Sequence, residues 1–268
     1  MQFESTEAKW GPNRSFATES TSLTVAASIS TLGVPAASRA DANSNRTAMS
    51  TSYRWLCDLC LVTPTNLLNV VANGVARILM VRHGQSEWNA IGKWQGQEDP
   101  PLTELGVDQA MRAGQVLGSF DLIASSDLQR AAITATVIGE LIGIGPVHVD
   151  DRLRETFVGP WQGLTRHQIE AQWPGWIKDG RRPPEAETET EVAIRAHAAL
   201  IDLAAQIGSG EIFVVSHGGT IRALKRHLGG SDERFGNLEG SWFTVQGSKI
   251  SYGESAYLLD HTGADETL

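Results

Sequence analysis

The feature that most constrains the fold is a regular alternation of strand-like and helix-like segments that begins at Val75. Two short runs, residues 78–81 and 212–216, are almost uninterruptedly apolar, as expected of central parallel strands that are covered on both faces. In the segments between the strands, apolar residues recur every three or four positions, which is the spacing of one helical face. This alternation predicts an α/β fold, a three-layer αβα sandwich with a mostly parallel central sheet.

Helical spacing of apolar residues predicts four helices after residue 100. Thr103 is the expected N-cap of the first, whose buried face would carry Val107, Met111, Gly114 and Leu117. The stripes expected for the other three are Leu128, Ala131, Ala135, Ile138 and Ile142; Val192, Ala196, Ala199, Leu203 and Ile207; and Ile221, Leu224 and Leu228. Further strands are expected in FDLIASS, at an edge position at residues 147–149, and on both sides of a QGSK turn between residues 242 and 259.

Residues 1–74 differ in composition from the rest of the chain. They are rich in Ser, Thr and Ala without a sustained period, so we expect a disordered extension ahead of a folded domain at residues 75–268. A transit peptide would share the Ser and Ala bias, but Glu4 and Glu19 argue against it. The segment YRWLCDLCLV, residues 53–62, could form a short helix or strand that packs on the main body.

Composition limits the classes of partner. The formal net charge of −9 leaves no basic footprint for nucleic acid, although a small anion-binding pocket is compatible with it. The chain has no apolar run long enough to span a bilayer and no secretory leader pattern, so a cytoplasmic protein without membrane contact is expected. Cys57 and Cys60 lack a second pair of ligands and are interpreted as incidental thiols. The oligomeric state stays open, and a homodimer is compatible with the sequence.

Both strongly apolar strands run into a histidine followed by glycine, in MVRHG and VVSHGG. These histidines are His83 and His217. In a parallel sheet ligands bind beyond the carboxyl ends of the strands, and glycine lets a ligand approach the backbone. A single histidine there is more often structural, whereas two in equivalent positions can converge on one site.

Two arginines follow strands at the same edge of the predicted sheet. Arg82 directly precedes His83, and Arg130 lies in the first turn of the helix after FDLIASS. Guanidinium groups match phosphate oxygens and a helix N-terminus favours negative charge, so both indicate an anion site. An ion pair with Asp127 or Glu87 is the alternative. Two arginines beside His83 would also disfavour its protonated form.

Glu155, in RLRETFVGPWQG, is a candidate general acid between Arg154 and a glycine-containing apolar loop. The residues alone leave two interpretations open. The carboxyl group could donate a proton to a leaving group, or it could be the ion-pair partner of Arg152 or Arg154.

Four motifs carry a resemblance to a known family. In order, RHGQSEWN, SSDLQRAAITA, RLRETFVGPWQG and VVSHGG resemble the histidine phosphatase superfamily, which includes the cofactor-dependent phosphoglycerate mutases. The match runs from about residue 77 to about residue 259. It implies a phosphoglycerate mutase-like fold and a histidine acid-type phosphatase, a phosphoric monoester hydrolase. It also implies no cofactor and no metal, and a small phosphate ester as substrate, either a sugar phosphate or a phosphoglycerate-type ester.

The resemblance implies roles for individual residues. His83 would be the nucleophile that forms a phosphohistidine, and Glu155 would protonate the leaving alkoxide and then help to activate water. His217 would act with the arginines, holding the phosphoryl oxygens and stabilising the charge of the transition state. The implied phosphate and substrate contacts are Arg82, Asn89, Gln95, Gly96, Arg130 and Gly218.

The runner-up activity is that of a phosphoglycerate mutase, which shares the catalytic core but has a longer lid. The segment at residues 163–192 is short for such a lid, and this favours a phosphatase. Its paired arginines, in GRRPPEAETETEV, resemble the mutase arm, and the acidic run after Pro184 departs from the Gly-Glu-Ser pattern of phosphatases in the family. The contacts that set specificity therefore stay open.

Two other classes are weaker. Metal-dependent hydrolysis could use His83, His217 and Glu155 as ligands, but Arg82 and Arg130 would repel a cation and no His-Glu-x-x-His motif is present. A binding-only relative would lack one of the core residues, and none is missing. Five tryptophans between the first and last motifs could line the pocket or simply pack: Trp88, Trp94, Trp161, Trp173 and Trp176.

Overall fold

The computed structural model describes residues 74–259. The predictions for the N-terminal extension, for the segment at residues 53–62 and for the two cysteines lie outside the described residues. Within the described part, no helix is both long enough and apolar enough to cross a membrane.

Six strands and six α-helices make up this part of the chain. The strands are β1 (Val75–Arg82), β2 (Leu122–Ser125), β3 (His148–Val149), β4 (Gly210–Ser216), β5 (Glu239–Gln246) and β6 (Lys249–Tyr257). The helices are α1 (Glu87–Ala90), α2 (Glu104–Val116), α3 (Gln129–Ile142), α4 (Arg166–Gln172), α5 (Glu189–Ile207) and α6 (Gly218–His227). Short 3-10 turns lie at Asp151–Leu153 and Gly159–Trp161.

The strands form one sheet in the order β3-β2-β4-β1-β5-β6. The first four are parallel neighbours, whereas β5 pairs antiparallel with β1 and then turns back into β6. Because β1, β2 and β4 are parallel, their carboxyl ends meet at one edge of the sheet. The predicted mostly parallel sheet, its edge strand at residues 147–149 and its final hairpin are confirmed.

Alternate residues of a strand point to opposite faces of the sheet, and helices cover both faces. Cores on the two faces are built from α5 and α6 on one side and from α2 and α3 on the other. The strand residues facing α5 and α6 include Ile78, Met80, Ile212 and Val214, and those facing α2 and α3 include Leu79, Val81, Phe213 and Val215. The three-layer αβα arrangement is therefore confirmed, and burial on both faces explains why these strands are apolar throughout.

The buried face of α2 differs from the prediction. Thr103 caps the helix as expected, accepting a hydrogen bond from the backbone N–H of Gly106, and Gly114 is buried. Met111, however, is 42% exposed, so its assignment to the core is wrong. The buried positions are Gly106, Gln109, Ala110, Ala113 and Gly114.

The reason is that α2 packs against backbone as well as against side chains. A Cβ on Gly106 would lie 2.1 Å from the carbonyl oxygen of Gln85, so only glycine allows this approach. Gln109 accepts a hydrogen bond from the backbone N–H of Gln85 at 2.8 Å. The helix therefore turns a small and polar face toward the loop that follows His83.

The other three helices follow the predicted stripes. Leu128 at the N-cap of α3 and Ala131, Ala135 and Ile138 within the helix are all buried. The predicted faces of α5 and α6 are likewise in the core, with Ile207 and Leu228 packed at its border.

Helix α5 offers a direct test of where the core lies. Leu200 is fully buried and Ile194 on the same helix is 58% exposed. Leu200→Ala removes buried methyl groups and leaves a cavity, so it should lower the free energy of unfolding by about 2–5 kcal/mol. Ile194→Ala should change it by no more than about 0.5 kcal/mol. Urea denaturation measures both, and equal losses would contradict the packing described for α5.

Candidate active site

The parallel pairing of β1 with β4 places the two strand-end histidines side by side. Arg82 stands opposite Ser216 in the register, and the backbone N–H of His83 donates to the carbonyl of Ser216 at 3.0 Å. The rings of His83 and His217 are 5.1 Å apart between centroids, at an angle of 62°. Both are buried, so the two residues form one cluster at the end of the sheet.

The tautomer of His83 is fixed by its neighbour. Nδ1 lies 2.6 Å from the carbonyl oxygen of Gly84, which can only accept, so Nδ1 carries the proton and Nε2 carries the lone pair. Burial, followed by the charges of Arg130 and Arg82, holds the pKa of His83 well below its ordinary value of 6.5. The imidazole is therefore neutral at pH 7, with Nε2 available as a nucleophile.

His217 is fully buried, and neither of its ring nitrogens has a hydrogen-bond partner within residues 74–259. Its pKa is also held well below 6.5, first by burial and then by the charges of Arg130 and of neighbouring groups. Buried polar atoms are normally paired, and each unpaired one has a cost. An oxygen of a bound anion is the kind of group that could meet this ring.

Arg130 delivers a fully buried guanidinium from the first turn of α3. Its Nη1 donates to the carbonyl of Glu98 at 2.7 Å and its Nη2 to that of Gly96 at 2.9 Å. Its Nε has no partner among the described residues, and Asp99 is 3.9 Å from Nη1. Burial lowers the pKa of Arg130 to about 10, against the opposing charges of Glu155 and Asp99, so the guanidinium stays charged at neutral pH.

Arg82 ends β1 and its side chain is half-buried. Its Nη1 donates to the carbonyl of Phe235 at 2.9 Å. Burial lowers its pKa, against the opposing charges of Glu155 and Glu239. A Cβ on Gly218 would lie 3.3 Å from Cδ of Arg82, so the small residue at the start of α6 lets the arginine lie alongside the helix N-terminus.

Glu155 lies in the loop after the first 3-10 turn, and its carboxylate reaches the same end of the sheet. One oxygen accepts from the backbone N–H of Thr156 at 2.7 Å and the other from that of Gly219 at 3.1 Å. A Cβ on Gly219 would lie 2.3 Å from Oε1, so glycine is needed for this contact. Arg154 and Arg152 bind Asp127 and Asp150 instead, so within residues 74–259 Glu155 has no direct side-chain ion pair.

Asn89, Gln95 and Gly96, the other predicted contacts, lie in the segment between β1 and α2. Asn89 and Ser86 form the capping box of α1, with Oδ1 of Asn89 accepting from the backbone N–H of Ser86. The Ser86 hydroxyl also donates to Oε1 of Gln95 at 2.8 Å. Gly96 has a positive φ of 52° and presents its carbonyl to Arg130. Ser86 therefore ties Asn89 to Gln95, a link that sequence reasoning missed.

Other residues that support the cluster were also missed. Asn237 donates from Nδ2 to the carbonyl of His83 at 2.8 Å, and Thr134 accepts from the backbone N–H of Gly84 at 3.2 Å. Arg195 binds the backbone on either side of Arg154. Such contacts join residues 40 or more positions apart, so no local sequence pattern points to them.

The five tryptophans do not share one environment. Trp161 is fully buried with Val158 and Ile169, and Trp94, Trp173 and Trp176 are partly buried against it. Packing therefore accounts for Trp161. Trp88 lies apart from this group, with the Lys93 ammonium 5.5 Å from its ring centroid.

Residues 74–259 contain no group of three or more His, Cys, Asp or Glu side chains that could hold a metal ion. What the cluster does present is positive charge and unpaired donors. In this α/β fold the cluster lies at the carboxyl edge of the sheet, where ligands bind in such folds, and its two arginines carry the charge that an anion would require.

Comparison with known proteins identifies the family. Residues 78–260 match the model of the histidine phosphatase superfamily, branch 1, so the chain belongs to this superfamily. Over 167 residues it is 43% identical to a glucosyl-3-phosphoglycerate phosphatase of Mycobacterium tuberculosis, covering 57% of this chain and 74% of that protein. It is also 35% identical over 167 residues to a 2,3-bisphosphoglycerate-dependent phosphoglycerate mutase of Methylorubrum extorquens, covering 57% of this chain and 79% of that protein.

Solved structures agree with the sequence relatives. The mycobacterial glucosyl-3-phosphoglycerate phosphatase in complex with VO3 has a TM-score of 0.60 and 36% identity, covering 66% of this chain and 96% of that one. An Entamoeba histolytica phosphoserine phosphatase mutant in complex with phosphoserine has a TM-score of 0.57 and 26% identity, covering 68% and 98%. The predicted resemblance is confirmed, and the chain is a phosphoric monoester hydrolase of the superfamily.

The protonation of the two histidines can be measured directly. Since both pKa values are lowered, both imidazoles should remain neutral at pH 6, where an ordinary histidine is largely charged. His83 should carry its proton on Nδ1. Nitrogen-15 NMR of the histidine rings, assigned with His83→Ala and His217→Gln variants, reports both properties. A charged ring at pH 6, or a proton on Nε2 of His83, would contradict the geometry.

Proposed function

We propose that the domain at residues 75–268 hydrolyses small phosphate monoesters through a phosphohistidine on Nε2 of His83. The observation that carries this proposal is the hydrogen bond from Nδ1 of His83 to the carbonyl of Gly84, which leaves the Nε2 lone pair free. Because burial lowers the pKa of His83, that lone pair stays unprotonated at neutral pH.

In the first step, the Nε2 lone pair of His83 attacks phosphorus as the bond from phosphorus to the ester oxygen breaks. Glu155 gives its proton to the departing alkoxide and becomes a carboxylate. Arg82, Arg130 and His217 contact the non-bridging oxygens, where negative charge is concentrated in the transition state. Their support is their position: all three lie at the carboxyl edge of the sheet beside His83.

In the second step, water attacks the phosphohistidine. Glu155 takes the proton of the water, the nitrogen–phosphorus bond breaks, and its electron pair returns to Nε2, which regenerates the neutral imidazole. Phosphate then leaves. Contacts to the phosphate or to the rest of the substrate are assigned to Asn89, Gln95, Gly96 and Gly218, because they lie on the loop after β1 and at the start of α6.

The proposed substrate is a phosphoglycerate-type ester. This follows from the mycobacterial relatives, which share 42–43% identity and are named for glucosyl-3-phosphoglycerate. The cytoplasmic location, the homodimer and the lack of a nucleic-acid partner remain predictions from the sequence.

A mutase is the second candidate, supported by the relatives of that name at 35% identity. It would keep the phosphoryl group on His83 and return it to the other hydroxyl of phosphoglycerate. A mutase assay primed with 2,3-bisphosphoglycerate distinguishes the two, because a phosphatase releases inorganic phosphate without forming the isomeric phosphoglycerate.

The nucleophile is tested with His83→Ala. The parent protein should release phosphate from p-nitrophenyl phosphate in the presence of a chelator, and the variant should lose at least about 10³-fold in kcat/KM because the proposed acceptor of the phosphoryl group has been removed. Quenching the parent with labelled substrate should trap an acid-labile, base-stable phosphoprotein that is missing from the variant. Full activity in His83→Ala would contradict the proposal. If the variant is inactive as expected, the parent is tested on a panel of esters that includes glucosyl-3-phosphoglycerate to define the substrate.

The proton donor is tested with Glu155→Gln. The loss in kcat/KM should depend on the leaving group, because p-nitrophenolate departs without a proton whereas an alkoxide does not. We expect a loss of about 10²–10⁴-fold for an alkyl phosphate such as 3-phosphoglycerate and a much smaller loss for p-nitrophenyl phosphate. Equal losses for both esters would show that Glu155 acts in some other way.

A further inference from the structure

The guanidinium of Arg195, in the second turn of α5, has all five of its N–H donors engaged inside the protein. Nε donates to Oε1 of Glu187 at 2.9 Å, and Nη2 to Oε2 at 3.0 Å. Nη1 donates to the carbonyls of Arg152 and Arg154 at 2.8 and 2.6 Å, and Nη2 to the carbonyl of Glu155 at 3.0 Å. Three of the five bonds therefore end on the backbone of the segment that carries Glu155.

Glu187 holds the same segment on the other side of Glu155. Its backbone N–H donates to the carbonyl of Phe157 at 2.9 Å, and its Oε2 accepts from the backbone N–H of Phe157 at 2.7 Å. The Arg195 and Glu187 side chains are only 18% and 22% exposed, so solvent screens this ion pair less than one on the surface. One ion pair thus fixes the backbone before and after Glu155.

Gln97 connects this ion pair to the phosphate-binding side of the site. Its Nε2 is 3.2 Å from the carbonyl of Glu155 and 3.3 Å from Oε2 of Glu187. The residues on either side of Gln97, Gly96 and Glu98, give their carbonyls to Arg130.

The position of the Glu155 carboxyl depends on this backbone. One of its two hydrogen bonds comes from Thr156, which belongs to the same held segment, and the other from Gly219 at the start of α6. Proton transfer requires the donor to lie within hydrogen-bond reach of the leaving oxygen, and a misplacement of about 1 Å can cost about 10²-fold in rate.

We propose that Arg195, paired with Glu187, is a positioning residue for the proton donor Glu155, and thereby controls how well the enzyme turns over esters whose leaving group needs a proton. The inference rests on the proposed function of Glu155. Arg195 touches neither substrate nor reacting atoms in this role, since all its donors are already used.

The test compares two substrates in kcat/KM, which covers the steps up to release of the first product and so isolates the step in which Glu155 donates its proton. Arg195→Gln should lower kcat/KM for 3-phosphoglycerate, or another alkyl ester that the parent hydrolyses, by about 10²-fold. For p-nitrophenyl phosphate, whose leaving group needs no proton, the loss should stay within about 5-fold. Arg195→Lys keeps the charge but cannot span two carboxylate oxygens and three carbonyls, so its loss should be intermediate.

Two further variants make the result interpretable. Glu187→Gln should reproduce the same substrate dependence in weaker form, because it removes the charge of the partner. Arg226→Gln is the matched control, since Arg226 also binds a glutamate of α5, Glu189, but on the exposed surface. It should leave both substrates unaffected. If Arg195→Gln does not fold, as judged by circular dichroism, Arg195→Lys and Glu187→Gln carry the test.

Equal losses for the two substrates, or no loss, in every folded variant would overturn the inference. That outcome is distinguishable from a failure of the proposed function. If Glu155→Gln shows the leaving-group dependence and the Arg195 variants do not, Glu155 is the proton donor but Arg195 does not position it. If neither shows it, the role of Glu155 itself is wrong.

Discussion

The site depends above all on the parallel pairing of β1 with β4. The backbone hydrogen bond from His83 to Ser216 sets the two strand ends level, so His217, the residue that follows β4, stands beside His83. Because both strands are apolar and buried on both faces, this register is fixed by the core and not by the site. A slip of one residue would turn every side chain of a strand to the opposite face. The fixed position of His83, the proposed nucleophile, is thus a consequence of sheet packing.

The positive charge of the site is arranged so that an anion can use it. Arg130 and Arg82 satisfy part of their hydrogen bonding on backbone carbonyls, of Gly96 and Phe235 among others, and carbonyls do not neutralise charge as carboxylates would. Burial, together with the same charges, lowers the pKa of His83 and keeps its ring neutral. In the proposed mechanism, one electrostatic arrangement would therefore serve both the attacking nitrogen and the phosphoryl oxygens. It exists in a chain whose formal net charge is −9, which shows how little net charge says about a buried site.

Much of the fold and of the cluster can be predicted from the sequence because it follows local patterns. The strand-end histidines were predictable since an uninterrupted apolar run marks a buried parallel strand, and topology brings such ends together. The buried face of α2 was not, because Gln109 is buried by a hydrogen bond to backbone, while the apolar Met111 is exposed. The contacts of Arg195 and Glu187 could not be predicted for a related reason. Their hydrogen bonds reach the Glu155 loop from residues distant in sequence, and the periodicity of apolar residues says nothing about such contacts.

A phosphatase of this kind must hold phosphorus and leaving oxygen in a fixed relation to two groups on different loops. In this structure three consecutive residues, Gly96, Gln97 and Glu98, connect Arg130 to the loop that carries Glu155. Gly96 and Glu98 are bound by Arg130, and Gln97 between them reaches the carbonyl of Glu155. In the proposed mechanism, this segment would link the placement of the phosphate-binding Arg130 to that of the proton donor Glu155, and bond cleavage requires both to be held in register.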